Sequence, residues 1–248
     1  MFYGNVVGIH KKYPILDIGN VTFFRCVEWL DSFYGKTISE LFAGNLRDSN
    51  DSNRYANLFP DMKLSYWSSH KNCAKKEIKK HGASNNIITF EAYDDASASF
   101  PTTNFTYGLY IINGSDLGFR YILDKVDKKQ PLTKSEWNLI HNILNEYPDG
   151  ISYPAKTDKS AKNVIFFESG FEKLSLRNVW IRLGNNGNNS QHITCSSTCD
   201  YNAEPKNYGY YFEPILKKKF DNSYLDSDEY KNRKLTMKSN LQSLKQHD

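Results

Sequence analysis

The chain is predicted to adopt an α+β fold, in which short strands form a mixed sheet and a few helices pack on it. Short apolar runs rich in aromatic and β-branched residues recur along the 248 residues and are typical of strands. Helical periodicity is confined to a few segments, and we find no internal repeat. Strands mixed with a few helices therefore favour the α+β class.

The predicted strands are bounded by glycine, proline, asparagine or aspartate, which are typical turn residues. Residues 21–29, VTFFRCVEW, form the first, a buried strand that carries one arginine. The others are LSYWSS at 64–69, IITF at 87–90, YGLYII at 107–112, GISYPA at 150–155, NVIFFE at 163–168 and KLSLRNVWIRLG at 173–184.

Three segments are predicted to be helices. The segment HKNCAKKEIKKH at 70–81 ends at a glycine, and DLGFRYILDKV at 116–126 is amphipathic. The clearest is TKSEWNLIHNIL at 133–144, where Thr133 and Glu136 have the spacing of a capping box.

These elements divide the chain into three parts. Residues 1–20 form an irregular lead punctuated by glycine and proline, and 21–184 hold the predicted domain. Residues 185–248 begin with the Asn-rich loop NNGNNSQHITCSSTC and continue as a basic C-terminal extension with weak helical periodicity.

Composition narrows the classes of partner. The net charge of +4 is a mild excess that suits an anionic small molecule or a weakly acidic protein rather than nucleic acid. The chain has no apolar run near the roughly 20 residues of a membrane span and no signal-peptide pattern. Together with four scattered cysteines, this favours a reducing, cytoplasmic location without a membrane partner.

His192, Cys195 and Cys199 are the one group with metal-ligand character. A zinc site would need a fourth ligand and a compact knuckle. The segment is predicted to be a flexible loop, so no metal is expected. The chain also lacks the G-x-G-x-x-G, Walker and G-x-S-x-G motifs.

Three segments, in order, carry a family resemblance. They are FFRC at 23–26, NRYANLFPDMKLSYWSSHKNCAKKEI at 53–78 and PDGISYPAKTDKSAKNVIFFE at 148–168. They resemble the RES family of the ADP-ribosyltransferase superfamily over about residues 21–170. The resemblance implies an ADP-ribosyltransferase-like fold and cleavage of NAD⁺. Many members are toxins, so an antitoxin or a protein target is the implied partner, and an effector would be delivered into a target cell's cytoplasm.

Cleavage of the nicotinamide–ribose bond sets three requirements. Arginine must hold the anionic pyrophosphate through its fork of donors. Aromatic surface must face the nicotinamide ring. A carboxylate must offset the positive charge of an oxocarbenium-like transition state.

Glu77 is the candidate catalytic carboxylate. At 100° per residue, Ala74 and Ile78 mark the apolar face of the helix at 70–81, and Glu77 lies beside Ala74. Helix geometry alone also permits an edge glutamate paired with Lys80 or His81 in solvent. The resemblance implies the catalytic role.

The candidate NAD⁺-binding arginines are Arg25, Arg54 and Arg47. Arg25 stands in an apolar strand, where it would bind an anion or form a structural ion pair. Arg54 and Tyr55 lie in a polar loop where an exposed arginine is ordinary. The resemblance makes Arg54 a phosphate or ribose contact and Tyr55 a nicotinamide-side aromatic residue, with Arg47 as a rival for the role of Arg54.

Ser68 and Ser69 end a strand just before the Glu77 helix. The resemblance implies that these small polar residues line the pocket. Capping of the helix is an equally good physical explanation, and one serine could cap while the other lines the pocket.

Tyr153 belongs to the Tyr-Pro pair that the family shares, and it is a further candidate for NAD⁺ binding. The family commonly has serine after this pair, whereas this chain has Ala155. That serine resembles a pocket contact, so its loss leaves Ser152 or Lys156 as substitutes, or an altered activity.

Two classes of function follow. The first is an NAD⁺-consuming enzyme whose acceptor is water, phosphate, or a protein or nucleic-acid group. It would be a glycohydrolase, a phosphorylase or an ADP-ribosyltransferase. The second is a catalytically weakened binding protein, in which Ala155 marks a lost site and the basic tail binds an acidic protein or nucleic acid.

Overall fold

A computed structural model describes residues 12–18, 21–33, 38–48, 55–94, 108–183, 189–194, 226–228, 231, 232 and 235. Its centre is one eight-stranded sheet with the strand order β4-β5-β6-β2-β1-β3-β7-β8. The parallel pair is β4 with β5, and the other neighbouring pairs are antiparallel. The strands are β1 Thr22–Glu28, β2 Leu64–Ser68, β3 Ile87–Asp94, β4 Ile111–Asn113, β5 Gly150–Pro154, β6 Lys162–Phe167, β7 Leu174–Leu183 and β8 Asn189–Thr194.

Five described α-helices accompany the sheet, and the combination confirms the predicted α+β class. No helix in the described part of the chain has the length and apolar character needed to cross a membrane. The predicted capping box is confirmed, since the Thr133 side chain accepts from the Glu136 backbone N–H and the Glu136 side chain accepts from Thr133 in return. The helices are α1 Ile38–Ala43, α2 Lys71–Lys80, α3 Phe119–Asp127, α4 Lys134–Leu144 and α5 Glu168–Glu172.

The sheet is split near its middle, between β1 and β2. β1 pairs with β3 along its whole length, but it pairs with β2 at one position, where Phe24 lies opposite Ser68. At the other end of β2, the strand edge pairs with the segment around Arg47 instead of with β1. Arg47 and Leu64 exchange backbone hydrogen bonds of 3.1 and 2.9 Å there. A gap therefore opens between the half-sheet β4-β5-β6-β2 and the half-sheet β1-β3-β7-β8.

Separate apolar clusters cover the two faces of the sheet. On one face, Phe23 and Phe166 meet edge to face with ring centroids 5.0 Å apart, at the centre of the first cluster. On the other face, Ile151 and Ile165 pack with residues of α3 and α4. Residues alternate between the faces along each strand, which explains how Phe24 can face α2 while Phe23 is buried beneath it.

Two segments outside residues 21–184 add to this sheet. The predicted loop after residue 184 is wrong at 189–194, which form β8 and pair with β7. The sequence of β8, NSQHIT, is mostly polar and carries little strand signal, but the edge of β7 supplies backbone partners that composition does not reveal. In the irregular lead, Leu16 donates its N–H to the Ile111 carbonyl at 2.8 Å. Most of the basic extension lies outside the described residues.

Candidate functional site

A pocket with a cavity volume of about 330 Å³ lies at the split in the sheet, beside α2. Residues of β1, β2, β5 and β6 line it together with residues of α2 and α3. Residues that are far apart in the sequence meet here because the sheet order places β5, β6, β2 and β1 side by side. The predicted site residues among its lining are Arg25, Arg47, Tyr55, Ser68, Glu77 and Tyr153.

A lateral row of side chains crosses the sheet beneath the pocket. Tyr153 lies opposite Asn163, Asn163 opposite Ser68, and Ser68 opposite Phe24. Directly opposed residues share a face of the sheet, and neighbouring strands are about 4.8 Å apart. The pocket therefore extends over about 14 Å from Tyr153 on β5 to Phe24 on β1.

Glu77 projects from α2 toward the loop between β5 and β6. Its Oε1 accepts a hydrogen bond from Thr157 Oγ1 at 3.2 Å and a long one from Asn163 Nδ2 at 3.5 Å. The side chain is half-buried, while Cys73 and Ala74 on the same helix are buried. Among the described residues that line the pocket, Glu77 is the one carboxylate. The solvent pairing with Lys80 or His81 that helix geometry allows is not among the described hydrogen bonds.

The Arg25 guanidinium lies in the gap between the half-sheets. Its Nε donates to Asn45 Oδ1 at 2.9 Å, and its Nη1 donates to the Tyr66 carbonyl at 2.7 Å. No carboxylate of the described chain forms an ion pair with it. Burial, and after it the neighbouring charge of Arg47, lower the pKa of Arg25 to about 10. Both causes disfavour the charged guanidinium, so a bound anion would relieve them.

A chain of hydrogen bonds holds the acceptor that orients Arg25. The Asn45 carbonyl accepts from Ser65 Oγ at 2.8 Å, and Ser65 Oγ accepts from Trp67 Nε1 at 2.8 Å. Asn45 and Ser65 are buried. The guanidinium is therefore fixed in direction before any ligand binds, which limits the entropy that binding must remove.

The two predicted aromatic contacts form the walls of the pocket. Tyr55 is 1% exposed and Tyr153 is 5% exposed, so each offers a ligand little more than a ring edge. Tyr55 packs on Tyr66 with ring centroids 5.8 Å apart, and the half-buried Tyr66 presents more of its ring to the pocket. Sequence reasoning missed Tyr66 because it reads as an ordinary strand residue.

The two serines before α2 have different roles. Ser68 lines the pocket, and its Oγ accepts from the His70 N–H at 3.4 Å. Ser69 is not among the lining residues; its Oγ accepts from the Lys162 N–H at 3.0 Å. The N-cap of α2 is His70, whose side chain makes no capping hydrogen bond. The alternative in which one serine caps α2 is therefore wrong.

Ala155 lies under α2 and is not among the residues that line the pocket. It is 6% exposed and packs with Cys73 and Ala161 in a small buried cluster. Thr157, two residues later, supplies the hydroxyl that reaches Glu77. The absence of a serine at position 155 therefore removes no polar group from the lining of this pocket.

The two substitutes considered for that serine also have other partners. Ser152 is buried, and its Oγ donates to the Ile112 carbonyl at 3.4 Å. Lys156 lines the pocket, but its Nζ lies 2.6 Å from Asp124 and 3.7 Å from Asp127. Lys156 therefore holds the β5–β6 loop against α3.

Arg120, Asn163 and Thr157 were missed by sequence reasoning. Arg120 lies on the predicted amphipathic helix, where an arginine normally faces solvent. Asn163 is the first residue of the predicted strand NVIFFE and the second of β6, and Thr157 lies in a polar loop. A polar residue at the first position of a buried strand was the one available signal, and it pointed to Asn163.

Several predicted residues lie outside the described part of the chain. These are Arg54, Cys195 and Cys199, and for His192 only the backbone in β8 is described. The prediction for Arg54 and the zinc alternative therefore stay untested. No family model, curated protein or solved structure matches this chain.

Proposed function

We propose that the protein consumes NAD⁺ by cleaving its nicotinamide–ribose bond. One observation carries the proposal. The pocket combines a single described carboxylate, Glu77, with a preorganised guanidinium, Arg25, that has no described carboxylate partner. The resemblance to the RES family, drawn from three separate segments, supports the same assignment.

Arg25 and Arg47 suit the pyrophosphate of NAD⁺. A buried guanidinium is costly without an anion, and its fork of donors matches the oxygens of a phosphate. Arg47 adds a second cation next to it, as its effect on the pKa of Arg25 indicates. Phosphate would restore the balance of charge that the described protein groups do not provide.

Glu77 suits the ribose. Cleavage of the glycosidic bond leaves positive charge on the ring, and a fixed carboxylate stabilises this charge. Thr157 and Asn163 donate to one of its oxygens, Oε1, and orient the group, which leaves the other oxygen for a ribose hydroxyl. Water, phosphate, or a group on a protein or nucleic acid could then accept the ADP-ribosyl moiety.

The test is the loss of NAD⁺ over time with purified protein, in buffers with and without phosphate. Glu77→Gln keeps the size and the hydrogen-bonding ability of the side chain but removes its charge. We expect turnover to fall by about a hundredfold or more, as for the loss of a preorganised electrostatic contact. Glu172→Gln, on an exposed position of α5, is the matched control and should leave turnover unchanged.

Full turnover by Glu77→Gln would remove Glu77 from the proposed mechanism. Faster loss of NAD⁺ in phosphate buffer would identify a phosphorylase. No loss in either buffer, and none after addition of cell lysate to supply an acceptor or activator, would refute the proposed activity. In that case, binding of ADP-ribose by the intact pocket would indicate a binding protein. An antitoxin or protein target, and action in the cytoplasm, belong to the same proposal.

A further inference from the structure

Arg120 brings a third arginine to the pocket, and one of its donors is unused. The guanidinium lies over the Tyr153 ring, 5.7 Å from its centroid, and Nη2 donates to Asp124 Oδ1 at 2.6 Å. These two contacts fix its plane. Its Nε is buried and makes no hydrogen bond with the described residues. A buried donor without an acceptor is costly, so an acceptor supplied by a ligand would be stabilising.

The charges around Arg120 differ from those around Arg25. Asp124 contacts both Arg120 and Lys156 at 2.6 Å, and Asp127 lies 3.7 Å from Lys156. Burial by itself raises the pKa of the Asp124 carboxyl, but the hydrogen bonds from Lys156 and Arg120 outweigh burial and lower it. The two carboxylates, Asp124 and Asp127, therefore balance the charges of Arg120 and Lys156. This end of the pocket suits a group with a neutral acceptor rather than a second phosphate.

The sheet register places the Arg120 end close to Glu77. Asn163 donates to Glu77 and lies directly opposite Tyr153, one strand spacing of about 4.8 Å away. Phe24, at the Arg25 end, lies two strand spacings from Asn163 in the other direction. A group joined directly to a ribose at Glu77 would therefore reach Arg120, whereas phosphates further along the ligand would reach Arg25.

We propose that Arg120 binds the carboxamide of the nicotinamide ring, with its buried Nε–H donating to the carboxamide oxygen. This inference rests on the proposed function, because that function places the ribose at Glu77. The neutral carboxamide oxygen meets the unused donor, and the positive ring meets a site whose own charges are balanced and which includes Glu77. Arg120 is thus a binding residue that contacts the nicotinamide group of the ligand and not its phosphates.

The experiment compares two overlapping fragments of NAD⁺ by isothermal titration calorimetry. Nicotinamide mononucleotide carries the ring, and ADP-ribose lacks it. Arg120→Lys keeps the charge beside Asp124 but removes the Nε–H donor. We expect this variant to bind nicotinamide mononucleotide about tenfold more weakly, the loss typical of one charge-assisted hydrogen bond, and to bind ADP-ribose as before.

Arg177→Lys, on an exposed position of β7, is the matched control and should bind both ligands normally. If Arg120→Lys lowers the thermal midpoint, Arg120→Gln is measured in its place. Equal weakening of both ligands, stronger weakening of ADP-ribose, or no weakening at all would overturn the assignment of Arg120 alone. A wild-type protein that binds neither ligand would overturn the proposed function as well.

Discussion

The pocket around Arg25 and the corner around Asp149 both remove a charge from water, but they compensate it differently. Asp149 is 4% exposed, and its Oδ2 accepts from Lys173 Nζ at 2.6 Å and from the Tyr110 N–H at 2.8 Å. Arg25 donates to an amide and to a carbonyl, and its described charged neighbour is another cation, Arg47. Within the described residues, the first arrangement is complete, whereas the second lacks a counter-ion.

This is the difference expected between a charge that serves the fold and a charge that binds a ligand. A buried ion whose partners are all supplied by the fold stabilises the fold only while every partner stays in place. A buried ion that lacks its counter-ion is a cost to the fold, and such a cost is typical of functional sites. A substitution at Asp149 should therefore mainly lower stability, whereas a substitution at Arg25 should mainly lower ligand affinity.

Asp149→Ala has the largest expected effect on stability. It leaves Lys173 mostly buried without its carboxylate and leaves the Tyr110 N–H without its acceptor. We expect the free energy of unfolding to fall by about 3 kcal/mol, the cost typical of breaking one side of a buried pair. Urea unfolding followed by circular dichroism measures this value.

Asp116→Ala is the matched control for Asp149, since Asp116 is exposed and makes one weak side-chain hydrogen bond, from Asn113 at 3.4 Å. Its free energy of unfolding should stay within about 0.5 kcal/mol of the wild-type value. Equal losses for the two variants would mean that the Asp149 pair does not stabilise the folded state.

Arg25→Met should lower ligand affinity strongly and stability only slightly. Methionine has a similar length, and the lost hydrogen bonds to Asn45 and Tyr66 are offset by removal of a charge that burial disfavours. We expect the free energy of unfolding to fall by about 1 kcal/mol, while affinity for ADP-ribose falls by about thirtyfold through loss of a charge-assisted phosphate contact.

Thermal unfolding with and without ADP-ribose tests the prediction for Arg25. The ligand should raise the midpoint of the wild-type protein but barely change that of Arg25→Met. A destabilisation of Arg25→Met as large as that of Asp149→Ala, with ligand binding retained, would make Arg25 a structural residue like Asp149.

The smallest expected effect is on the rate at which Cys26, which lines the same pocket, is alkylated. Its Sγ lies 3.2 Å from Thr89 Oγ1, and burial raises the pKa of the thiol above its ordinary value. The thiolate is the reactive form, so a raised pKa means less thiolate at a given pH. Alkylation by iodoacetamide should therefore be slow at pH 8 and should still be accelerating above pH 9.

Peptide mass spectrometry separates Cys26 from the other cysteines of the chain. ADP-ribose should slow its alkylation severalfold, because Cys26 lines the pocket next to Arg25. Cys73, which is fully buried on the inner face of α2, should react more slowly still in the folded protein. Alkylation of Cys26 that proceeds equally fast with saturating ADP-ribose would place the ligand away from the β1 end of the pocket.

Three of the five described α-helices and most strands could be predicted from the sequence because their signals are local. The short helices α1 and α5 were not predicted, and Glu168, which begins α5, was assigned to a strand. The period of α4 and its capping box lie within a dozen residues, and the apolar runs of β1 and β6 show directly in the sequence. β8 could not be predicted, since its mostly polar sequence NSQHIT forms a strand only where β7 offers an edge. The alternative in which Ser68 or Ser69 caps α2 was wrong. Two serines just before a helix suggest a cap, but the N-cap position of α2 is occupied by His70.

For the candidate site, the sequence alone determined which residue types are present and which side of α2 carries Glu77. A rotation of 100° per residue places that glutamate beside the apolar face, and the helix does so in the structure. The role of Glu77 in chemistry stays a prediction from the family resemblance.

The tertiary structure alone decided which arginine has no counter-ion among the described residues and which residues face one another across the pocket. β1 and β2 pair at one position, which opens the gap that holds Arg25. The order of the strands brings Asn163 to the side of Glu77, and the packing of α3 adds Arg120 to the same pocket. Strand pairing joins residues more than a hundred positions apart. No local period encodes that pairing, because it depends on backbone partners and burial that exist only once the sheet has formed.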